Sequence, residues 1–202
     1  MRILKINQDN PEKNKLKIAI DTLREGKAIV YPTDTVYGIG ANALDIEAIE
    51  KVYKIKKRPL DKPISICVSN SSLIKKIAYT NKEIEKIIEK ILPGPFTIIL
   101  NKKENIPSLL TAGSEKIGIR IPDNKVCIEL SKEFPITTTS ANLSGKDIPE
   151  AVDGILKQLD DRVDLILDAG ICKHGIHSTV IDMTLNPPKI IREGAIMPKF
   201  NL

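Results

Sequence analysis

The chain has 202 residues, enough for one large domain or two very small ones. Hydrophobic residues make up 42% and charged residues 28%, a balance that excludes a disordered or membrane-embedded chain. The 31 basic and 26 acidic residues leave a formal charge of +5, which favours anionic partners such as nucleotides, phosphates or RNA without requiring them.

The start, Met1-Arg2-Ile3-Leu4-Lys5-Ile6, turns polar too early for a signal peptide. Leu16, Ala19, Ile20 and Leu23 have helical spacing, and Gly26 follows as a stop. Ala28 to Tyr31 reads as a buried strand. Asp45 can cap a second helix whose apolar face is Ile46, Ile49, Val52 and Tyr53. Ile64 to Val68 predicts a strand, and Leu73 to Ala78 and Ile84 to Ile91 predict helices. Pro93-Gly94-Pro95 is a break before a strand at Phe96 to Leu100. Ile117 to Ile121 is a further strand, Val126 to Phe134 a short helix and Ile136 to Thr139 a short strand. Pro149 to Leu159 reads as helical. Asp164 to Leu167, Thr179 to Met183 and Lys189 to Arg192 are late strands. Helices alternate with strands early and strands cluster late, which predicts an α/β fold with a mixed sheet. With 3% aromatic residues and no Trp, its core must be built from Ile, Leu and Val.

Cys67, Cys127 and Cys172 are odd in number and far apart, so no disulfide framework follows. No apolar run approaches a membrane span. Both observations point to the cytoplasm.

Six segments could carry chemistry. Tyr31-Pro32-Thr33-Asp34-Thr35-Val36-Tyr37-Gly38-Ile39-Gly40 ends a strand in hydroxyls, a carboxylate and glycines. It suits either a threonine-stabilised turn or the edge of a small-molecule pocket, with the glycines leaving room for a ligand. Lys54 to Pro63 carries five cations, Lys54, Lys56, Lys57, Arg58 and Lys62, between a helix end and two prolines. A stiff cationic loop suits a polyphosphate; a helix C-terminus also favours cations by itself. Gly118-Ile119-Arg120-Ile121-Pro122 puts Arg120 on the strand face opposite its isoleucines, where it needs an anion. That anion is a ligand carboxylate or an internal Asp or Glu. Thr137 to Gly145 offers hydroxyls and an amide at a strand end, either as a ligand cradle or as a turn. Cys172-Lys173-His174-Gly175-Ile176-His177 has metal-like spacing, but without a second cluster it reads as a solvated loop. Ser178 and Arg192, on strands joined at Asn186-Pro187-Pro188, could add a hydroxyl and a cation. Neither a Gly-x-Ser-x-Gly elbow nor a Walker loop occurs.

In this order, the segments resemble the YrdC family of threonylcarbamoyl-AMP synthases. The resemblance rests on Tyr31 to Gly40, Lys56-Lys57-Arg58-Pro59, Lys62-Pro63, Pro93 to Thr97, Gly118 to Pro122, Ser140 to Gly145, Ser178 to Asp182 and Arg192-Glu193-Gly194, and spans about residues 12 to 196. It implies a twisted mixed sheet with flanking helices around a large basic cavity. It implies one YrdC-like domain over residues 1–202, without an additional C-terminal domain. The implied reaction takes L-threonine, bicarbonate or CO2, and ATP with Mg2+ to threonylcarbamoyl-AMP and pyrophosphate. A separate transferase system would then modify adenosine 37 of tRNAs that read ANN codons.

By matching motif, Lys56, Arg58, Ser140 and Asn142 would form the catalytic group. Thr35, Cys67, Arg120, Thr138 and Ser178 would hold threonine, Arg120 taking its carboxylate. Cys67 stands where some relatives have His, and a thiol bonds more weakly than imidazole. Arg58, Lys62, Lys116, Ser140, Ile148 and Arg192 would contact ATP. No metal ligand from protein side chains is implied. Two other readings remain: an RNA-binding module without catalysis, and a carbamoyl-transfer domain like those fused into hydrogenase-maturation proteins. The first lacks stacking aromatics, although weak tRNA binding fits the charge. The second lacks its companion modules.

Overall fold

A computed structural model describes residues 1–199; residues 200–202 of the expected domain lie outside the described part. The strands are β1 (Arg2–Lys5), β2 (Ile29–Tyr31), β3 (Gly38–Gly40), β4 (Ser65–Cys67), β5 (Phe96–Asn101), β6 (Lys116–Arg120), β7 (Ile136–Ser140), β8 (Leu165–Asp168), β9 (Thr179–Asp182) and β10 (Lys189–Arg192). They form one twisted sheet in the order β1-β8-β2-β3-β7-β4-β6-β5-β9-β10. The sheet is mixed. Strands β1 and β2 both pair parallel with β8, and β4–β6 and β5–β9 are also parallel. The β2–β3, β3–β7, β4–β7, β5–β6 and β9–β10 pairs are antiparallel.

The helices are α1 (Lys13–Arg24), α2 (Ile46–Lys56), α3 (Ser71–Ile77), α4 (Lys82–Ile91), α5 (Lys125–Leu130) and α6 (Val152–Leu159). Asx side chains start four of them. The side chain of Asp45 accepts from the backbone N–H of Glu47 and Ala48, and Asn70, Asn81 and Asn124 do the same for α3, α4 and α5. Each such cap contributes about 1 kcal/mol. Helix α2 ends where Lys57 turns left-handed at φ 49°, which throws the following cationic loop off the helix axis.

The two sheet faces bury separate cores, as strand alternation requires. Val30 and Ile39 join the larger core with α2, α4 and α6, while Ile29 and Tyr31 join the smaller one with α1 and α5. Two strands carry no sequence signal. Strand β1 is a mostly exposed edge strand, and β3 is Gly-Ile-Gly, a composition that disfavours strands. Helix α5 stops at Leu130 rather than running to Phe134, and the Ser131 hydroxyl donates back to the Cys127 carbonyl at 2.7 Å. Helix α6 begins at Val152, after Pro149. Among the described residues no helix is long and apolar enough to cross a membrane.

Candidate functional site

A cavity of about 180 Å3 lies where Arg58, Arg120 and Arg192 converge with Thr138, Ser140, Ser178 and Ile148. Its lining also includes Tyr37, Gly38, Ser65, Thr97 and His177, and no carboxylate. It is modest in volume, against the large cavity that the resemblance implied. A second hollow of about 260 Å3 shares Pro63, Ile64, Ser65, Thr97 and Arg192 with it, so the two form neighbouring compartments.

Arg120 ends β6 and is buried, and both bonds formed by its Nη2 run to the opening segment. One reaches the Asp34 carboxylate at 2.8 Å and the other the Thr35 hydroxyl at 2.8 Å. The internal carboxylate left open as the arginine's counter-charge is therefore Asp34. Yet the Arg120 Nε is buried with no hydrogen-bond partner. Thr33 braces the turn: its hydroxyl donates to the Val36 carbonyl at 2.7 Å and lies 2.9 Å from the Thr35 hydroxyl. Thr35 is thus fully buried behind the cavity wall, not on it.

The glycines of this segment serve a different neighbour than expected. A Cβ on Gly40 would sit 2.8 Å from Tyr31 Cε1, and one on Gly38 would sit 3.2 Å from the same ring. Strand β3 is glycine-rich because the buried Tyr31 ring lies across it, its hydroxyl donating to the Thr137 carbonyl at 3.1 Å.

The cationic loop divides by position. Lys56 points inward and is 1% exposed. Its ammonium donates to the carbonyl oxygens of Ser140 and Asn142, the latter at 2.7 Å, and to the Asn142 side-chain oxygen at 3.1 Å. Burial, and then the Arg58 charge, lower its pKa to about 7, while three acceptors occupy every N–H of the charged form. Lys56 and Asn142 both stand behind the wall, and Ser140 reaches it, its hydroxyl 2.7 Å from the Asn142 side-chain oxygen. Arg58 is held by the Lys62 carbonyl at 3.1 Å and the Pro63 carbonyl at 2.8 Å, and it lines the cavity. Burial lowers its pKa. Lys62 is exposed and outside the cavity, contributing its carbonyl rather than its ammonium. Lys116 lines the neighbouring hollow and pairs with Asp182 at 3.0 Å.

Ser178 precedes β9 and joins two partners. Its hydroxyl is 2.7 Å from that of Thr97, and its carbonyl accepts from Arg192 Nη2 at 2.8 Å. Burial and then Arg120 lower the Arg192 pKa, and burial and then Arg192 lower that of His177. Thr97, the buried hydroxyl of the Pro93 to Thr97 motif, was not singled out by sequence reasoning.

Two further placements differ from the expectations. Cys67, assigned to threonine by resemblance, does not line the cavity. Its thiol packs with Tyr31, Cys127 and Ile136 in the smaller core, and donates weakly toward the Ser131 hydroxyl at 3.8 Å. The Cys172–His177 segment is not a free solvated loop. Cys172 is buried, and the backbone N–H groups of His174 and Gly175 donate to the carbonyls of Asp34 and Thr35 at 3.1 and 2.9 Å.

Residues 21–194 match the Sua5/YciO/YrdC family, whose description reads "Telomere recombination". A putative threonylcarbamoyl-AMP synthase of Methanocaldococcus jannaschii is 47% identical over 197 residues, covering 96% of this chain and 94% of that one. The crystal structure of Pyrococcus abyssi Sua5 complexed with L-threonine superposes with a TM-score of 0.92 at 34% identity, covering 96% of this chain and 58% of that one. Escherichia coli YciO superposes with a TM-score of 0.87 at 29% identity, covering 96% of both chains. The chain thus spans nearly all of some relatives and little more than half of others.

Proposed function

This chain belongs to the Sua5/YciO/YrdC family, and from that premise we propose that it is an L-threonylcarbamoyladenylate synthase, a nucleotidyltransferase. It takes L-threonine, bicarbonate or CO2, and ATP, and releases pyrophosphate. The product supplies a tRNA threonylcarbamoyl transferase system. The observation that carries this reading is the cavity wall: three guanidinium groups and a row of hydroxyls, without a carboxylate. Such a wall suits an amino acid carboxylate beside a polyphosphate.

Arg120, which lines the cavity, holds the threonine carboxylate, and Thr138 and Ser178 present oxygen atoms to the amino acid. Arg58 and Arg192 face the nucleotide phosphates. Threonine's neutral amine adds to CO2 and loses a proton to solvent, giving a carbamate. A carbamate oxygen attacks the α-phosphorus of ATP, and the bond to the β-phosphate bridge breaks as pyrophosphate departs. No protein nucleophile is needed, because alignment and fixed positive charge do the work. Mg2+ enters as part of the substrate, on the ATP phosphates; the cavity wall has hydroxyls but no carboxylate for it. Lys56 and Asn142 hold the Ser140 turn in place rather than touching phosphate. Three free cysteines fit a cytoplasmic enzyme.

The test is an incubation with ATP, Mg2+, bicarbonate and L-threonine, followed by pyrophosphate assay. Release that depends on both threonine and bicarbonate is expected. No release, with tight RNA binding, would favour the binding-module reading.

A further inference from the structure

Asp34 has no role in the reaction described above, yet it is among the least accessible carboxylates of the chain. Its side chain is fully buried, and that of its ion-pair partner Arg120 is 7% exposed. A buried charge pair of this kind gains little net stability from its mutual attraction, so its retention calls for another reason.

The bonding pattern supplies one. A guanidinium has five N–H donors in a rigid fork. Asp34 Oδ1 and the Thr35 hydroxyl both take hydrogens from Nη2. Neither uses Nε, which is buried and unpartnered. Asp34 is itself immobilised from two sides. Its Oδ2 accepts from the backbone N–H of Asp123 at 3.1 Å, and its carbonyl accepts from that of His174 at 3.1 Å. Asp34 therefore ties together β6 and the turn after it, through its carboxylate, and the segment before Ser178, through its backbone carbonyl. It grips Nη2 from behind the wall, while Arg120 still lines the cavity.

We infer that Asp34 is a positioning residue, which fixes Arg120 so that the part of its guanidinium lining the cavity meets the carboxylate of the amino acid substrate. It also supplies the counter-charge that lets Arg120 stay buried while the cavity is empty. This inference rests on the synthase reading, in which Arg120 receives the threonine carboxylate.

The test measures KM for L-threonine and for ATP in the wild type, Asp34→Asn, Arg120→Ala and the double variant. Asp34→Asn keeps the shape but removes the charge and one acceptor. Its threonine KM is expected to rise about 10- to 100-fold, the worth of a charged hydrogen bond, with the ATP KM within about twofold. Because Asp34 acts through Arg120, adding Asp34→Asn to Arg120→Ala should cost nothing further. An unchanged threonine KM, an equal rise for both substrates, or losses that add independently would overturn the inference.

Should Asp34→Asn not fold, the wild type carries the test through the 15N resonance of the Arg120 Nε–H. It should shift with L-threonine and not with L-threoninamide, which lacks the carboxylate. A resonance indifferent to L-threonine in an active enzyme sinks the inference alone. A wild type that neither binds nor turns over L-threonine removes the synthase reading, and the inference with it.

Discussion

The ammonium of Lys56 reaches across from the end of α2 and clasps Asn142 twice, at its carbonyl and at its side-chain oxygen. In return, the Lys56 carbonyl accepts from the Ser144 N–H at 2.8 Å. Replacing Lys56 by Met strands several buried acceptors. We expect a stability loss of about 2–4 kcal/mol, from about 1–3 kcal/mol per unsatisfied group, read as a lower urea midpoint. Activity should fall with it as the Ser140 turn loosens.

Arg58 should behave in the opposite way. It is half-buried and its bonds run to carbonyls of its own loop. Arg58→Ala is expected to lower kcat/KM by about 10- to 100-fold, since one charged contact is worth roughly 1.5–3 kcal/mol. Its urea midpoint should stay near that of the wild type. A large stability loss without an activity loss would remove Arg58 from the site.

The two glycines of β3 predict an order of severity. Gly40→Ala puts a methyl 2.8 Å from the Tyr31 ring, Gly38→Ala only 3.2 Å. Overpacking of this kind costs about 1–3 kcal/mol, so Gly40→Ala should lower the melting temperature more than Gly38→Ala. Equal melting temperatures would mean that the ring is free to move.

His177 gives a dependence on pH. Burial and the Arg192 charge hold its folded pKa below the ordinary histidine value of 6.5. Between that lowered value and 6.5 the unfolded chain binds more protons, so stability rises with pH. The contribution is complete above 6.5 and lost as the pH falls below it. Comparing urea midpoints of the wild type and His177→Asn at several pH values checks this. The gap between them should move in favour of the wild type as pH rises through the window.

Much of this architecture could be read from residue order. Period-two apolar runs such as Ile117 to Ile121 mark strands, and Asp45 marks a helix start, because local physics dominates there. The convergence of Arg58, Arg120, Ser178 and Arg192 was legible only through the order of motifs. No local rule says that residues on different strands face one cavity. Strand β3 stayed hidden because its glycines are explained by Tyr31, a partner across the ladder rather than along the chain. Cys67 was misplaced for a related reason. Its motif position suits a ligand contact, but Tyr31 and Cys127 close over the thiol from other elements. For Thr35 and Lys56 only the motif was legible, and their place behind the wall follows from tertiary hydrogen bonds.

The pairing of β1 with β8 joins Arg2 to Leu165, and β2 also waits for β8. The first strands made must therefore stay unpaired along one edge until most of the chain has been synthesised. Contacts of such sequence separation slow folding, because loop closure must precede them. A nascent chain released before β8 would expose the β2 edge, an invitation to pair with other chains. Cells making this protein would thus gain most from chaperone cover late in translation.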